Sequence, residues 1–188
     1  MEIDHVGLLF SVLKPRELVI CMLATVAGMR PGEILSLQWK HIKADHLEVE
    51  QRLYRGKIDS PKTDRSERTV ALSQGLQAAI AKWKTLSGEP GPDAWVFPSE
   101  TLKTPLAKDN CWRRWIAPKL KAVGLEWVNF HVMRRTSASL MRELDVDPKV
   151  VADQLGHSLD VSLNVYTQTG LGQRKEALNA LESALPVM

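Results

Sequence analysis

Ala27-Gly28-Met29-Arg30-Pro31-Gly32-Glu33-Ile34-Leu35-Ser36-Leu37-Gln38-Trp39 is the stretch from which the rest of the chain can be read. Before it, Arg16 to Ala27 is apolar almost all round, which marks a helix buried on every side. Gly28 ends that helix, and Pro31 suits the first turn of another, expected to run to about Trp39. Arg30 falls where the second helix begins, so its guanidinium and the free backbone N–H groups can converge on an anion. An isolated arginine at a helix start is, by itself, an ordinary surface contact. Glu33, three residues on, reads as a cap for that helix or as the ion-pair partner of Arg30.

Downstream, Leu47, Val49, Gln51 and Leu53 alternate with His46, Glu48, Glu50 and Arg52, the period of a half-buried strand. Gly56 and Ser60-Pro61 punctuate it, and Arg68 to Leu72 reads as another short strand, which leaves Lys62 on or beside a turn. Helical patterns then return over Gln74–Leu86, Ala107–Val123, Phe130–Leu144, Pro148–Leu155, Leu159–Thr167 and Arg174–Ala184. Ser87 to Pro105 is proline-rich and connects two of them. Asp147-Pro148 combines a capping residue with proline at the first helical position. The expected fold class is mainly α with a small antiparallel β-sheet of two or three strands (α+β).

With 188 residues, 44% apolar and 25% charged, the chain has the composition of a folded globular domain rather than of a disordered one. No apolar run approaches the ~20 residues of a membrane span, and no basic region precedes the short apolar patch at the N-terminus. Cys21 and Cys111 sit in apolar or aromatic surroundings and read as buried free thiols, so a reducing, cytosolic compartment is expected. The net charge of +3 is unevenly spread. Leu106 to Arg142 carries eight Lys or Arg against two acids, and Arg52 to Arg68 six against three, which leaves the remainder acidic. Such segments suggest a phosphate-bearing partner on one face, although charge runs are also simply solvated.

Two further clusters complete the set. In His131-Val132-Met133-Arg134-Arg135-Thr136, His131 and Arg134 lie three apart and share a helix face. Met133, Ser137, Leu140 and Leu144 form a neighbouring stripe that should anchor this helix. In Leu155-Gly156-His157-Ser158, Gly156 reads as a helix terminator that leaves His157 in a loop. Tyr166 follows nine residues later, and its spacing from Leu159 and Leu163 reads equally as a core aromatic.

Taken in order, Arg30, Lys62, His131-x-x-Arg134, His157 and Tyr166 resemble the catalytic domain of the tyrosine recombinase (phage integrase) family. Gly28 to Leu37 looks like that family's first arginine box, His131 to Thr136 like its His-x-x-Arg box, and Leu155 to Ser158 with Tyr166 like its closing box. Pro61-Lys62-Thr63 falls where the family places a hairpin lysine. The resemblance runs from about Pro15 to Thr169. Arg135 stands where many members have histidine, at a position usually treated as supporting. The family also carries a separate N-terminal helical domain that clamps the other side of the DNA, and this chain begins too late to contain one. One catalytic domain over residues 1–188 is therefore expected, with 170–188 as a C-terminal tail helix.

The resemblance implies cleavage and rejoining of double-stranded DNA in site-specific recombination or integration, as in phages and mobile elements. Tyr166 would attack the scissile phosphorus to give a 3′-phosphotyrosine and a free 5′-hydroxyl, without cofactor or metal. Arg30 and Arg134 would hold the non-bridging oxygens, with Glu33 in support. Lys62 would act as general acid, and His131 and His157 would share proton transfer and phosphate hydrogen bonding. Arg113, Arg114 and Arg135 are candidate contacts to the DNA backbone, while Trp112 and Trp115 should pack inward. His5, His41 and His46 read as ordinary surface or packed histidines. The resemblance further implies a tetramer on DNA, a monomer without it, and a place in the bacterial cytoplasm at the nucleoid. Two other readings share the residue set: relaxation of DNA like that of a type IB topoisomerase, and a DNA-binding domain inactive without its N-terminal clamp.

Overall fold

The computed structural model describes residues 1–59 and 67–157. In chain order these form α1 (Ile3–Ser11), α2 (Pro15–Thr25), α3 (Pro31–Leu35), a 3₁₀ turn (Trp39–His41), β1 (His46–Val49), β2 (Arg52–Tyr54), β3 (Lys57–Asp59) and β4 (Arg68–Ala71). Then follow α4 (Gln74–Leu86), α5 (Lys108–Cys111), a π-helical turn (Trp112–Ile116), α6 (Ala117–Lys121), α7 (Phe130–Glu143) and α8 (Pro148–Leu155).

Local chemistry sets most of these boundaries. Pro15, Pro31 and Pro148 each occupy a first helical turn, where the missing N–H matters least, and the first two follow an extended residue. Ser73 Oγ accepts from Leu76 N at 3.4 Å to cap α4, and Asn129 Oδ1 accepts from His131 N at 2.9 Å and Val132 N at 3.0 Å to cap α7. α8 opens on Asp147, whose carboxylate accepts from Lys149 N at 2.6 Å, and closes on Gly156 in the left-handed conformation, φ 67°. The apolar segment Pro15–Thr25 becomes the central helix. α2 packs against α3, α4 and α7, with Ile20, Leu23 and Ala24 fully buried among Ile34, Leu35, Leu76 and Met133.

The fold class is as expected, mainly helical with small antiparallel sheets, but four local readings need correction. The helix from Pro31 stops at Leu35 instead of Trp39, because Ser36 Oγ donates to Glu33 O (3.0 Å) and Gln51 O (2.9 Å) and so turns the chain out. Gln51 Nε2 returns a bond to Ser36 O at 2.6 Å, and this exchange splits the expected strand over 47–53 in two. β1 pairs with β4, with Leu47 opposite Val70 and Val49 opposite Arg68, while β2 pairs with β3 in a separate hairpin. The helix expected over 107–123 carries a π turn at 112–116, where Ala117 N bonds Trp112 O, because Pro118 has no N–H for the regular ladder. On α7, Leu144 is 76% exposed and anchors nothing. The helix ends at Glu143, Asp145 turns away with positive φ, and the buried residues are Phe130, Met133, Arg134, Thr136, Ser137 and Ala138. α1, which the sequence reading left unassigned, packs on α2 through Leu9.

Cys21 and Cys111 are buried free thiols. Burial pushes both up, Cys111 to about 12, so both stay protonated. Among the described residues, no helix is long and apolar enough to cross a membrane. The expected helices over 159–167 and 174–184, the tail and the turn holding Lys62 lie outside the described residues.

Candidate active site

Arg30 is the residue before α3, and its backbone is held by its own sequence neighbour: Arg30 N donates to Glu33 Oε2 at 2.9 Å, and Arg30 Nη1 to Glu33 Oε1 at 2.8 Å. Both structural roles read for Glu33, cap and ion-pair partner, are therefore present together. Glu33 is itself buried, and a second arginine takes its other lone pairs: Arg68 Nη1 donates to Oε1 at 3.1 Å and Nη2 to Oε2 at 3.0 Å. Burial would raise the Glu33 carboxyl, but the Arg68 hydrogen bonds and charge, with those of Arg30, outweigh it and hold the group below the usual range.

Three arginines from three elements meet the end of α8. Arg68 Nε donates to Gln154 O at 3.2 Å, Arg134 Nη2 to Leu155 O at 2.7 Å, and Arg30 Nη2 to Gly156 O at 3.0 Å. These carbonyls lie at the negative end of the helix, where cations are favoured and in-helix partners run out. Arg134, only 9% exposed, also donates through Nη1 to Gly28 O, so the break after α2 is held to α7. Gly28 has φ 65°, and a Cβ there would collide with Leu155 Cδ2 and approach Ser137 Oγ to 3.1 Å. Gly28→Ala should destabilise the fold by about 2–4 kcal/mol, from strain and overpacking together. A melting curve checks this; a fall of less than about 3 °C would show that α8 can move aside without penalty.

Arg30, His131, Arg134, Arg135 and His157 line one open cleft of about 700 Å³, with Trp112 and Phe130 in its wall, their rings 5.2 Å apart and tilted at 53°. His131 is exposed in the first turn of α7, and its predicted shared face with Arg134 is realised. His157 follows Gly156 directly and is half-buried. Burial, then the charges of Arg134, Arg30 and Arg68, push its imidazole down to about 4, against a weaker opposing pull from Glu33.

His157 is thus neutral at pH 7. Its folded value lies below the ordinary 6.5, so between pH 6.5 and 4 the unfolded chain takes a proton that the folded chain refuses. The stability associated with neutral His157 is complete above about pH 6.5 and falls as pH drops towards 4. Melting temperatures should fall more steeply over that window in the parent than in His157→Gln. Parallel curves would remove the imidazole as the cause.

Arg113 and Arg114 are exposed but do not line the cleft; Arg114 pairs with Glu100 at 3.1 Å and lies 5.5 Å from the Trp115 ring. Trp112 and Trp115 are half-buried against the core, as expected. Lys62 and Tyr166 fall outside the described residues. Sequence reasoning missed three contributors: Arg68, Lys108, which also lines the cleft, and Gln154. Gln154 Oε1 accepts from Ala71 N at 3.1 Å and its Nε2 donates to Ala71 O at 3.1 Å, which clamps α8 to β4. A usable signal existed for Arg68, since the period-2 pattern sets it on the same side as Val70 and Leu72, both buried. No group of three or more His, Cys, Asp or Glu side chains that could hold a metal ion occurs among the described residues.

The model of the phage integrase family matches residues 3–170. The integrase of ICEBs1 from Bacillus subtilis (strain 168) is 27% identical over 93% of this chain and 52% of its own length. A XerC-like tyrosine recombinase of Caldanaerobacter subterraneus is 26% identical over 85% of this chain and 47% of its own length. The chain therefore spans about half the length of the curated relatives it matches. Among solved structures, the Tn1549 transposon integrase in complex with circular intermediate DNA superposes with a TM-score of 0.76 at 18% identity, over 96% of this chain and 66% of that one. XerA recombinase gives 0.72 at 18% identity, over 100% of this chain and 64% of that one. At such identities the likeness establishes a shared fold.

Proposed function

We propose, since the chain belongs to the phage integrase family, that it is the catalytic domain of a site-specific recombinase that cuts and rejoins DNA through a 3′-phosphotyrosine. The observation that carries this reading is the convergence of Arg30, His131, Arg134 and His157, from separate stretches of sequence, on one cleft. Two arginines and two imidazoles around an open space suit a phosphodiester, whose transition state gathers charge on its non-bridging oxygens.

In this reading Tyr166 Oη forms a bond to the scissile phosphorus while the bond from phosphorus to the 5′ oxygen breaks. The tyrosine proton passes to a histidine, and Lys62 returns a proton to the departing 5′ oxygen. Attack by a 5′-hydroxyl on the phosphotyrosine reverses these steps and reseals a strand, so the phosphodiester bond is stored and no nucleotide cofactor or metal is required. Neutral His157 can accept or share a proton, and an incoming phosphate would offset the arginine charges that, with burial as the larger cause, keep it neutral. Arg135, at the rim, and Arg113 and Arg114 beyond it would hold backbone phosphates without reading sequence. Residues 1–188 would act as one domain, with 170–188 as a tail helix, monomeric alone and tetrameric on DNA in the bacterial cytoplasm.

The test is a suicide-substrate assay with nicked duplexes from the DNA flanking the chain's own coding region. A denaturation-resistant DNA adduct supports the proposal. The chain's half-length match favours one second reading, a domain that binds DNA but cleaves only with a further clamping segment. Salt-sensitive binding without adduct would select that reading.

A further inference from the structure

We propose that Arg68 is a positioning residue: by gripping both oxygens of Glu33 and the Gln154 carbonyl together, it fixes the direction of Arg30 and the place of His157. This rests on the functional reading above, which makes Arg30 a phosphate ligand. The Arg68 side chain is 7% exposed and does not line the cleft, so it acts through other residues.

A carboxylate held by Arg30 alone could swing about its own side-chain bonds and carry the guanidinium with it. Glu33 cannot swing here, because each of its oxygens accepts one bond from Arg30 and one from Arg68. The planar fork of Arg68 fixes the carboxylate plane, which in turn orients Arg30 Nη1. Arg68 also supplies charge. Glu33 alone would neutralise Arg30, whereas two arginines around one carboxylate leave a net positive charge for the cleft.

The same side chain reaches the other wall. Its Nε holds Gln154 O, and its guanidinium lies directly under Gly156, where an added Cβ would come within 2.8 Å of Arg68 Cδ and 2.9 Å of Nε. Glycine at 156 therefore serves both the left-handed turn, φ 67°, and this close approach. His157 is the next residue, so the β4 strand, the arginine before α3 and the histidine after α8 are registered by one guanidinium.

Arg68→Lys separates geometry from charge, since lysine keeps the charge but cannot grip two oxygens and a carbonyl in one plane. Adduct formation on the nicked duplexes should fall about 10–100-fold, the range seen for outer-shell partners of metal sites, while DNA affinity stays within about threefold. Glu33→Gln should fall similarly, and the double variant should be no worse than the poorer single one, because both act through one contact. A parental rate in Arg68→Lys, or losses that multiply in the double variant, would overturn the proposal. If Arg68→Lys does not fold, Glu33→Gln alone is decisive: an unchanged rate rejects the linkage.

A second readout is independent of cleavage. The NMR signals of the His157 imidazole and of Arg30 Nε–H should both move in Arg68→Lys, and signals that stay in place reject the positioning role. A parent chain that forms no adduct on any duplex counts against the functional reading, and these signals then decide the role of Arg68.

Discussion

Tyr166→Phe is expected to abolish covalent DNA capture, by about 10⁴-fold or more, while leaving noncovalent affinity within about threefold. The substitution removes one hydroxyl oxygen and keeps the ring, so the phosphate contacts proposed for Arg30, Arg134 and Arg135 should remain. What disappears is the only protein atom that bonds to phosphorus in the proposed mechanism. The remaining arginines could still stabilise attack by water, but that route yields a free 3′ end and no adduct. The measurement is single-turnover incubation with nicked duplex followed by denaturing electrophoresis, beside a salt titration of binding. A persistent adduct in Tyr166→Phe would place the nucleophile elsewhere. Loss of adduct and binding together would instead make Tyr166 a packing residue, the alternative that its spacing from Leu159 and Leu163 left open.

Much of the scaffold was legible because its punctuation is local. Ser73, Asn129, Asp147-Pro148 and Gly156 cap or terminate their helices through atoms a few residues away, and α4 and α8 begin and end where their patterns do. Arg30, His131, Arg134 and His157 were legible as a set, from their spacing and family resemblance. What remained hidden depends on partners distant in sequence. The break after Val49 requires Ser36 to exchange hydrogen bonds with Gln51. The Arg68–Glu33 pair spans 35 residues and exists only because β4 and α3 both border the end of α8. The carbonyls that hold Arg134, those of Gly28 and Leu155, have no signature in any residue type, since every residue offers one.

Those carbonyls make Arg134 the substitution with the second largest expected effect, and they separate it from a simple phosphate contact. Arg134→Ala should reduce cleavage about 10²–10³-fold, the usual range for loss of one transition-state donor, and should also destabilise the protein. Gly28 O and Leu155 O would each lose a charged donor in a buried place, at about 1–3 kcal/mol apiece unless water enters. DNA affinity should fall much less than the cleavage rate, because the ground-state phosphate keeps Arg30 and Arg135 while the charge that develops during attack loses its best-anchored partner. Arg134→Lys isolates the chemistry further. One ammonium can hold one of the two carbonyls or face the phosphate, but it cannot reproduce a fork that bridges α2 and α8. It should therefore bind DNA nearly as the parent does and cleave about tenfold or more slower. Single-turnover rates, binding titrations and melting curves on the two variants decide the matter. Equal losses of binding and cleavage, with an unchanged melting temperature, would reduce Arg134 to a surface contact and remove the central donor from the proposed site.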